Sequence, residues 1–288
     1  MVPTPRTEKQ LLITDLDNTL YDWVTFFGRS IEALLQALAQ QLGEPVELLE
    51  DQLRTVNRRF GSVEQPFAIF ELDSVRTRWP AANRQQLKAL LDGPLHAFNS
   101  TRLRTLVPYP GIVATLEELK ARGIAVVGYT EASLANAYYR LSRLGLVDLL
   151  RAVYVVEGVP AEHPDPARAE ALAPRPGYVV IVPGEDRKPN PKALVDICRN
   201  EGVHPSAAVY VGDSRTKDIA MARAAGITSA WARYGTRFES SAWDAIVRVT
   251  NWTESDVARE RELGERAARV EPDITLESFE EILPMFPA

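Results

Sequence analysis

Two acids close a short apolar run near the start of the chain, in Leu11-Leu12-Ile13-Thr14-Asp15-Leu16-Asp17. Other polar residues stand at comparable places further on. Thr130 ends the run Ile124–Thr130, and Asp213 follows Ala208–Gly212 with Asp218 about one helical turn later. Lys188 precedes Pro189-Asn190-Pro191 at the start of a helix pattern. If the apolar runs are strands of one open α/β sheet, their carboxyl ends face a single crevice, which is where such folds bind ligands. Four carboxylates gathered there (Asp15, Asp17, Asp213 and Asp218) would repel one another and hold their protons tightly. A divalent cation relieves that repulsion, and an all-oxygen donor set suits Mg²⁺, which binds through a few carboxylates, waters and substrate phosphate. A carboxylate beside such a cation can attack phosphorus and form an aspartyl-phosphate. A second carboxyl two residues along can protonate the leaving oxygen and then activate water. A lysine, a hydroxyl and the cation would stabilise charge on the transferring phosphoryl oxygens.

The elements that must position these residues alternate. Strand-like runs end in Asp17 and Thr130, and others cover Val153–Val156, Ala208–Gly212 and Ile227–Ala232, with helix patterns between them. One helix pattern carries Leu134, Ala137, Tyr138, Leu141 and Leu144 on one face, another runs from Pro191 through Cys198, and a third from about Lys217 to Ala225. This order predicts an α/β fold, a Rossmann-like, mostly parallel sheet covered on both sides. Residues 21–107 break the alternation. Ile31, Leu34, Leu35 and Leu38 recur at helical spacing, and further helices are expected near Leu48–Phe60 and Arg84–Ala97. We therefore expect an α-helical insertion at 21–107 within a core formed by 1–20 and 108–288. A second insertion is expected near 158–185, with Tyr178–Val182 paired to Val153–Val156 as a hairpin. Thr253 to Arg269 reads as a charged, solvated helix.

Composition bounds the function. The 288 residues carry 33 Lys+Arg and 39 Asp+Glu, a net charge of -6, with 45% hydrophobic residues. That is ordinary globular usage, and it argues against a general affinity for nucleic acid or membrane surfaces. The single Cys198 and the scattered His96, His163 and His204 leave no multi-cysteine or histidine-rich metal centre. Cys198 lies on the apolar side of its helix and is expected in the core. No apolar run approaches a membrane span, and the polar start carries no signal peptide, so a cytoplasmic location is expected.

With these residues in view, the chain resembles the haloacid dehalogenase superfamily. Asp15-Leu16-Asp17-Asn18-Thr19-Leu20 looks like the first motif of its phosphatases, and Thr130 stands where the second motif has Thr or Ser. Lys188 in Lys-Pro-Asn-Pro resembles the third motif, and Gly212-Asp213-Ser214-Arg215-Thr216-Lys217-Asp218 the fourth. The helical stretch after the first motif matches a C1-type cap. The resemblance covers about 11 to 235. It implies a phosphoric monoester hydrolase in which Asp15 is the nucleophile and Asp17 the general acid/base. Mg²⁺ would be held by Asp15, the backbone carbonyl of Asp17 and Asp213. Thr130 and Lys188 would bind the phosphoryl group, and Asp218 would support the metal shell or orient Lys188. The partner would be a small phosphorylated metabolite, a nucleotide or sugar phosphate among the options, and oligomeric state stays open.

Two departures stand out. Glu131 follows Thr130 where the family often has Asn, and the long insertion before Lys188 makes Lys192 a fallback for the phosphate-binding lysine. Thr130 alone would read as a helix N-cap. Tyr21 and Trp23 directly follow the catalytic loop and are candidates to face the leaving group, although aromatics at the spacing of Tyr21, Trp23, Phe26 and Phe27 more often build helix core. The wording Asp-Asn-Thr-Leu-Tyr also resembles family members acting on pyrimidine nucleotides. The rival readings are 2-haloacid dehalogenation, which needs neither Asp17 nor the acids at 213 and 218, and phosphonate cleavage, for which Lys88 is the one cap lysine. A catalytically idle binding module is the third.

Overall fold

The computed structural model describes residues 8–158, 173–250 and 270–287. Seven parallel strands form one sheet in the order β4-β3-β2-β1-β5-β6-β7. They are β1 (Leu11–Thr14), β2 (Ala125–Thr130), β3 (Ala152–Val156), β4 (Val179–Val182), β5 (Ala208–Gly212), β6 (Thr228–Ala232) and β7 (Ile274–Leu276). From β1 the chain adds strands on one side through β4, then crosses to β5 on the other side. The direction of winding therefore switches at β1, and the crevice of such a sheet lies at that point.

The central strands are covered on both faces, which explains why they are apolar throughout rather than alternating with polar residues. Leu12, Val126, Val153, Val209 and Val211 belong to one buried layer, with helices α6 (Ile112–Ala121) and α7 (Leu134–Arg143) contributing Leu116, Leu119, Ala137 and Leu141. Leu11, Ile13, Val127, Tyr129, Tyr154 and Tyr210 belong to the other. There they meet Leu194, Ile197 and Cys198 of α8 (Pro191–Asn200) and Met221 and Ala222 of α9 (Ala220–Ala224). Cys198 is fully buried, and burial pushes its thiol up to about 11, so it packs as a small hydrophobe.

Between β1 and β2 the chain is helical, as the spacing predicted. Here lie α1 (Trp23–Leu42), α2 (Val46–Phe60), a 3-10 turn (Pro66–Glu71), α3 (Asp73–Arg78), α4 (Arg84–Leu90) and α5 (Asp92–Thr105). Asp22 caps α1 by accepting from the Thr25 N–H at 2.8 Å, and Gly43 ends it in the left-handed region at φ 73°. The expected helix over Arg84–Ala97 is two helices, broken at Leu91 and restarted with Pro94 in the first turn of α5. Helix α10 (Ser240–Val249), from the far end of the sequence, lies against α1. The approach is so close that a Cβ added to Gly28 would fall 2.2 Å from the Ala242 carbonyl oxygen.

Two expectations are corrected. Val179–Val182 does not form a hairpin with Val153–Val156; the strands run parallel, with Val153 opposite Val179 and Val156 opposite Val182. A hairpin needs a tight turn, and the segment separating these strands is long enough for a crossover that returns the chain in the same direction. The helix expected from Lys217 begins instead with a π-helical turn, Arg215–Ile219, before α9. The expected helix over Thr253–Arg269 lies outside the described residues, as do 159–172 of the second insertion.

Candidate active site

The strand register assembles the site. Thr14 pairs with Gly128 of β2 and with Val211 of β5, so Thr130 and Asp213, each two residues beyond, reach the same level as the Asp15–Asp17 turn. The Asp15 N–H still donates to the Val211 carbonyl at 2.8 Å, and the chain then turns sharply. Asn18 adopts the left-handed conformation at φ 56°, tolerated by Asn. Its side-chain oxygen accepts the N–H groups of Trp23 at 3.1 Å and Val24 at 3.3 Å, tying the turn to the start of α1. The Thr19 hydroxyl donates to Asp15 Oδ2 at 3.4 Å.

A second loop braces this turn. After β6 the chain forms a 3-10 turn, Arg233–Thr236, in which the Tyr234 hydroxyl donates to the Thr19 carbonyl at 2.7 Å. Gly235 sits so close that an added Cβ would lie 1.7 Å from the Asn18 carbonyl oxygen. Gly235→Ala is therefore expected to displace the turn that carries Asp15 and Asp17. Turnover should fall by about 100-fold or more, as for a small misplacement of reacting groups, in a protein whose circular dichroism remains native-like. Wild-type turnover in that variant would show that the turn tolerates the shift.

Lys188 arrives from the opposite side of β1. The 3-10 turn Gly184–Asp186 before it is anchored by the Tyr129 hydroxyl, which donates to the Asp186 carbonyl at 3.0 Å. The Lys188 ammonium is buried between Asp15 Oδ1, its ion-pair partner, and Asp218 Oδ1 at 2.9 Å. The rings of Tyr129 and Tyr210 lie 5.2 and 5.6 Å away. Lys192 points elsewhere and pairs with Asp186 at 2.5 Å and Asp196 at 2.9 Å. Of the two lysines, Lys188 is the one that reaches Asp15.

Asp15, Asp213 and Asp218 each present a carboxylate oxygen within 4.8 Å of the others. Asp218 is already engaged by Lys188, by the Tyr210 hydroxyl at 2.8 Å and by the Ser214 N–H at 3.0 Å. The π-helical turn carries it there, and Gly212 makes room, since a Cβ at that position would meet Asp218 Oδ2 at 2.5 Å. Desolvation raises Asp15 to about 7, with Lys188 opposing the rise and Asp218 and Asp17 adding to it. Asp213 is pushed well above the usual carboxylate range by desolvation, then by Asp218 and Asp15. This excess of buried negative charge on oxygen donors fits a hard divalent cation. Asp15, Asp213 and Asp218 could each offer one oxygen to such a cation, and Lys188 pairs with both Asp15 and Asp218.

Asp17 lies outside that cluster. Its Oδ1 accepts from Arg140 Nη1 at 2.8 Å, and Arg140 Nη2 bonds Glu64 at 2.5 Å. Neither Arg140 nor Glu64 was found by sequence reasoning. The available signal was a charged residue between Ala137 and Leu141 on the apolar face of α7. Thr130 is buried and its hydroxyl oxygen accepts from the Ala132 N–H at 3.0 Å. It is not the helix N-cap, because α7 starts later and Ser133 caps it. Glu131 turns to the rim, 3.3 Å from Lys217 and 3.8 Å from Arg187. Tyr21 is fully buried, with Asp17 and Arg140 acting on its hydroxyl, whose pKa burial raises. Trp23 stacks on Phe27 at 5.5 Å, as expected of helix core. Among the described residues no helix is long and apolar enough to cross a membrane.

The chain is 28% identical over 229 residues to the glyceraldehyde 3-phosphate phosphatase of Methanopyrus kandleri, covering 78% of this chain and 84% of that protein. It is 25% identical over 231 residues to phosphoglycolate phosphatase 1 of Pseudomonas aeruginosa, covering 78% of this chain and 70% of that protein. The solved structure of a 2-haloacid dehalogenase from Pseudomonas syringae pv. tomato shares the fold with a TM-score of 0.54 at 21% identity, covering 96% of this chain and 97% of the other. Residues 9–226 match the haloacid dehalogenase-like hydrolase family as a whole, and the chain belongs to that family.

Proposed function

We propose that the chain is a Mg²⁺-dependent phosphomonoester hydrolase acting on a small phosphorylated metabolite in the cytoplasm. The observation that carries this reading is the buried set of Asp15, Asp213 and Asp218 with Lys188 among them, and Asp17 two residues from Asp15. Asp15 attacks phosphorus and becomes an aspartyl-phosphate. Asp17 protonates the leaving oxygen, then takes a proton from the water that opens the intermediate. The Lys188 ammonium and the Thr130 region meet the phosphoryl oxygens, and Asp218 fixes Lys188 through its 2.9 Å ion pair. Bound Mg²⁺, held by Asp15, Asp213 and the Asp17 carbonyl, would neutralise charge on the phosphoryl group. The relatives named as phosphatases of glyceraldehyde 3-phosphate and phosphoglycolate support a small phosphorylated substrate. We further propose that residues 21–107 act as a cap over a core of 1–20 and 108–288, excluding water and selecting the leaving group.

The test is hydrolysis of p-nitrophenyl phosphate and of a panel of phosphorylated metabolites. Phosphate release is expected with Mg²⁺ and should vanish in EDTA. Halide release from a 2-haloacid in EDTA, without phosphatase activity, would overturn the proposal.

A further inference from the structure

Arg140 sits at the junction of three parts of the chain. It rises from α7, it lies 5.2 Å from the ring of Phe26 in α1, and it is only 2% exposed. Its guanidinium divides its donors between two carboxylates. Nη1 bonds Asp17 Oδ1 at 2.8 Å and Nη2 bonds Glu64 Oε2 at 2.5 Å. Glu64 belongs to the non-helical segment 61–65 between α2 and the following 3-10 turn. The same Glu64 oxygen accepts from Asn136 Nδ2 at 2.6 Å. Asn136 and Arg140 are four residues apart on α7, hence neighbours on one helix face. Together they grip Glu64 and leave a single Nη for Asp17.

We infer that Arg140 is a positioning residue for Asp17, and that Glu64 sets how Arg140 holds it. The inference rests on the reading of Asp17 as general acid/base. A guanidinium buried this deeply cannot go without a counter-charge, and its planar fork matches a carboxylate through two parallel bonds. With Glu64 seated, the fork is shared and Asp17 is held at one oxygen. When Glu64 withdraws or loses its charge, Asp17 becomes the remaining carboxylate for the fork. It is then drawn onto both Nη groups and away from the leaving oxygen. Seating of segment 61–65 against α7 thereby governs whether Asp17 can serve the leaving group.

The experiment compares kcat/KM for phenyl phosphate and p-nitrophenyl phosphate, two substrates of similar shape whose leaving groups differ in their need for a proton. In Glu64→Gln the preference for p-nitrophenyl phosphate should rise about tenfold over wild type, a fraction of what general acid catalysis supplies. Arg140→Met removes the fork, so adding Glu64→Gln to it should change the preference no further. Arg140→Lys replaces Arg140→Met in this cycle if the latter does not fold. An unchanged preference in Glu64→Gln, an equal loss on both substrates, or a full Glu64→Gln effect without Arg140 would each overturn the inference. Failure of the phosphatase reading itself would show first, as wild-type protein that hydrolyses neither ester with Mg²⁺.

Discussion

Asp15→Asn is expected to reduce turnover to below about a thousandth of wild type, the scale seen when a covalent nucleophile is removed. Asn has nearly the shape of Asp, so the turn held by Asn18 and braced by Tyr234 should persist, and circular dichroism should not change. The substitution also carries a pH signature that a generic packing defect lacks. Desolvation raises Asp15 from 3.8 to about 7 in the folded protein. The folded state therefore holds the Asp15 proton more tightly than the unfolded chain does. Sites of this kind favour folding at low pH, and that contribution is lost as pH rises from about 4 toward about 7. In EDTA, thermal unfolding of wild type and Asp15→Asn should diverge over this interval, with the variant gaining relative to wild type as pH increases. With Mg²⁺ the gain should shrink, because the cation would offset the negative charge that Asp15 takes on as it ionises. Parallel melting curves at all pH values would show that Asp15 is not the desolvated member of the cluster, and retained turnover would dismiss it as nucleophile.

The parts of this protein that sequence alone revealed share a physical cause. Strands β1, β2 and β5 are buried on both faces, so Leu11–Thr14, Ala125–Thr130 and Ala208–Gly212 are short apolar runs, and polar residues where they end are conspicuous. Asp15, Thr130 and Asp213 were legible for that reason. Long-range relationships were not. Val179–Val182 is as apolar as a hairpin partner would be, and only pairing across a crossover fixes its direction. The Lys-Pro-Asn-Pro setting favours Lys188 and leaves Lys192 as a fallback. The choice between them depends on Asp186, which captures Lys192, and on Tyr129, which anchors the preceding turn. Arg140 and Glu64 stand far from Asp17 in sequence, and each alone is an ordinary charged helix or loop residue. Their meaning arises when α7 and the 61–65 segment meet at the Asp17 turn. The site is thus readable where one strand end supplies a residue, and unreadable where it takes three segments to satisfy one buried charge.

Lys188→Met should produce the largest loss of stability among single substitutions at the site. Met keeps much of the lysine stem and fits beside Tyr129 and Tyr210, so packing is largely spared. What disappears is the ammonium between Asp15 and Asp218, two acids that are themselves buried. Breaking a buried pair by removing one partner costs about 3–5 kcal/mol, since the charge left behind has lost both water and counter-ion. Desolvation works against the ammonium, yet Asp15 and Asp218 outweigh it and hold the Lys188 pKa well above its ordinary 10.5. Its contribution is therefore fully present through the neutral range and fades only as pH rises past that elevated value. In Lys188→Met the deficit should be greatest in EDTA at neutral to alkaline pH. It should narrow on acidification, when the acids take up protons in place of the missing ammonium, and on addition of Mg²⁺. Restoring stability with Mg²⁺ should not restore activity. The cation would not replace the ammonium that Lys188 offers to a phosphoryl group, and loss of one such charge costs about 100- to 1000-fold in kcat. Lys192→Met is the matched control. Its ammonium is mostly solvent-exposed against Asp186 and Asp196, where an ion pair contributes little, so both stability and turnover should stay near wild type. A Lys188→Met protein as stable as wild type in EDTA would mean that the acids balance their charge without it, and the site would then need a different source of positive charge.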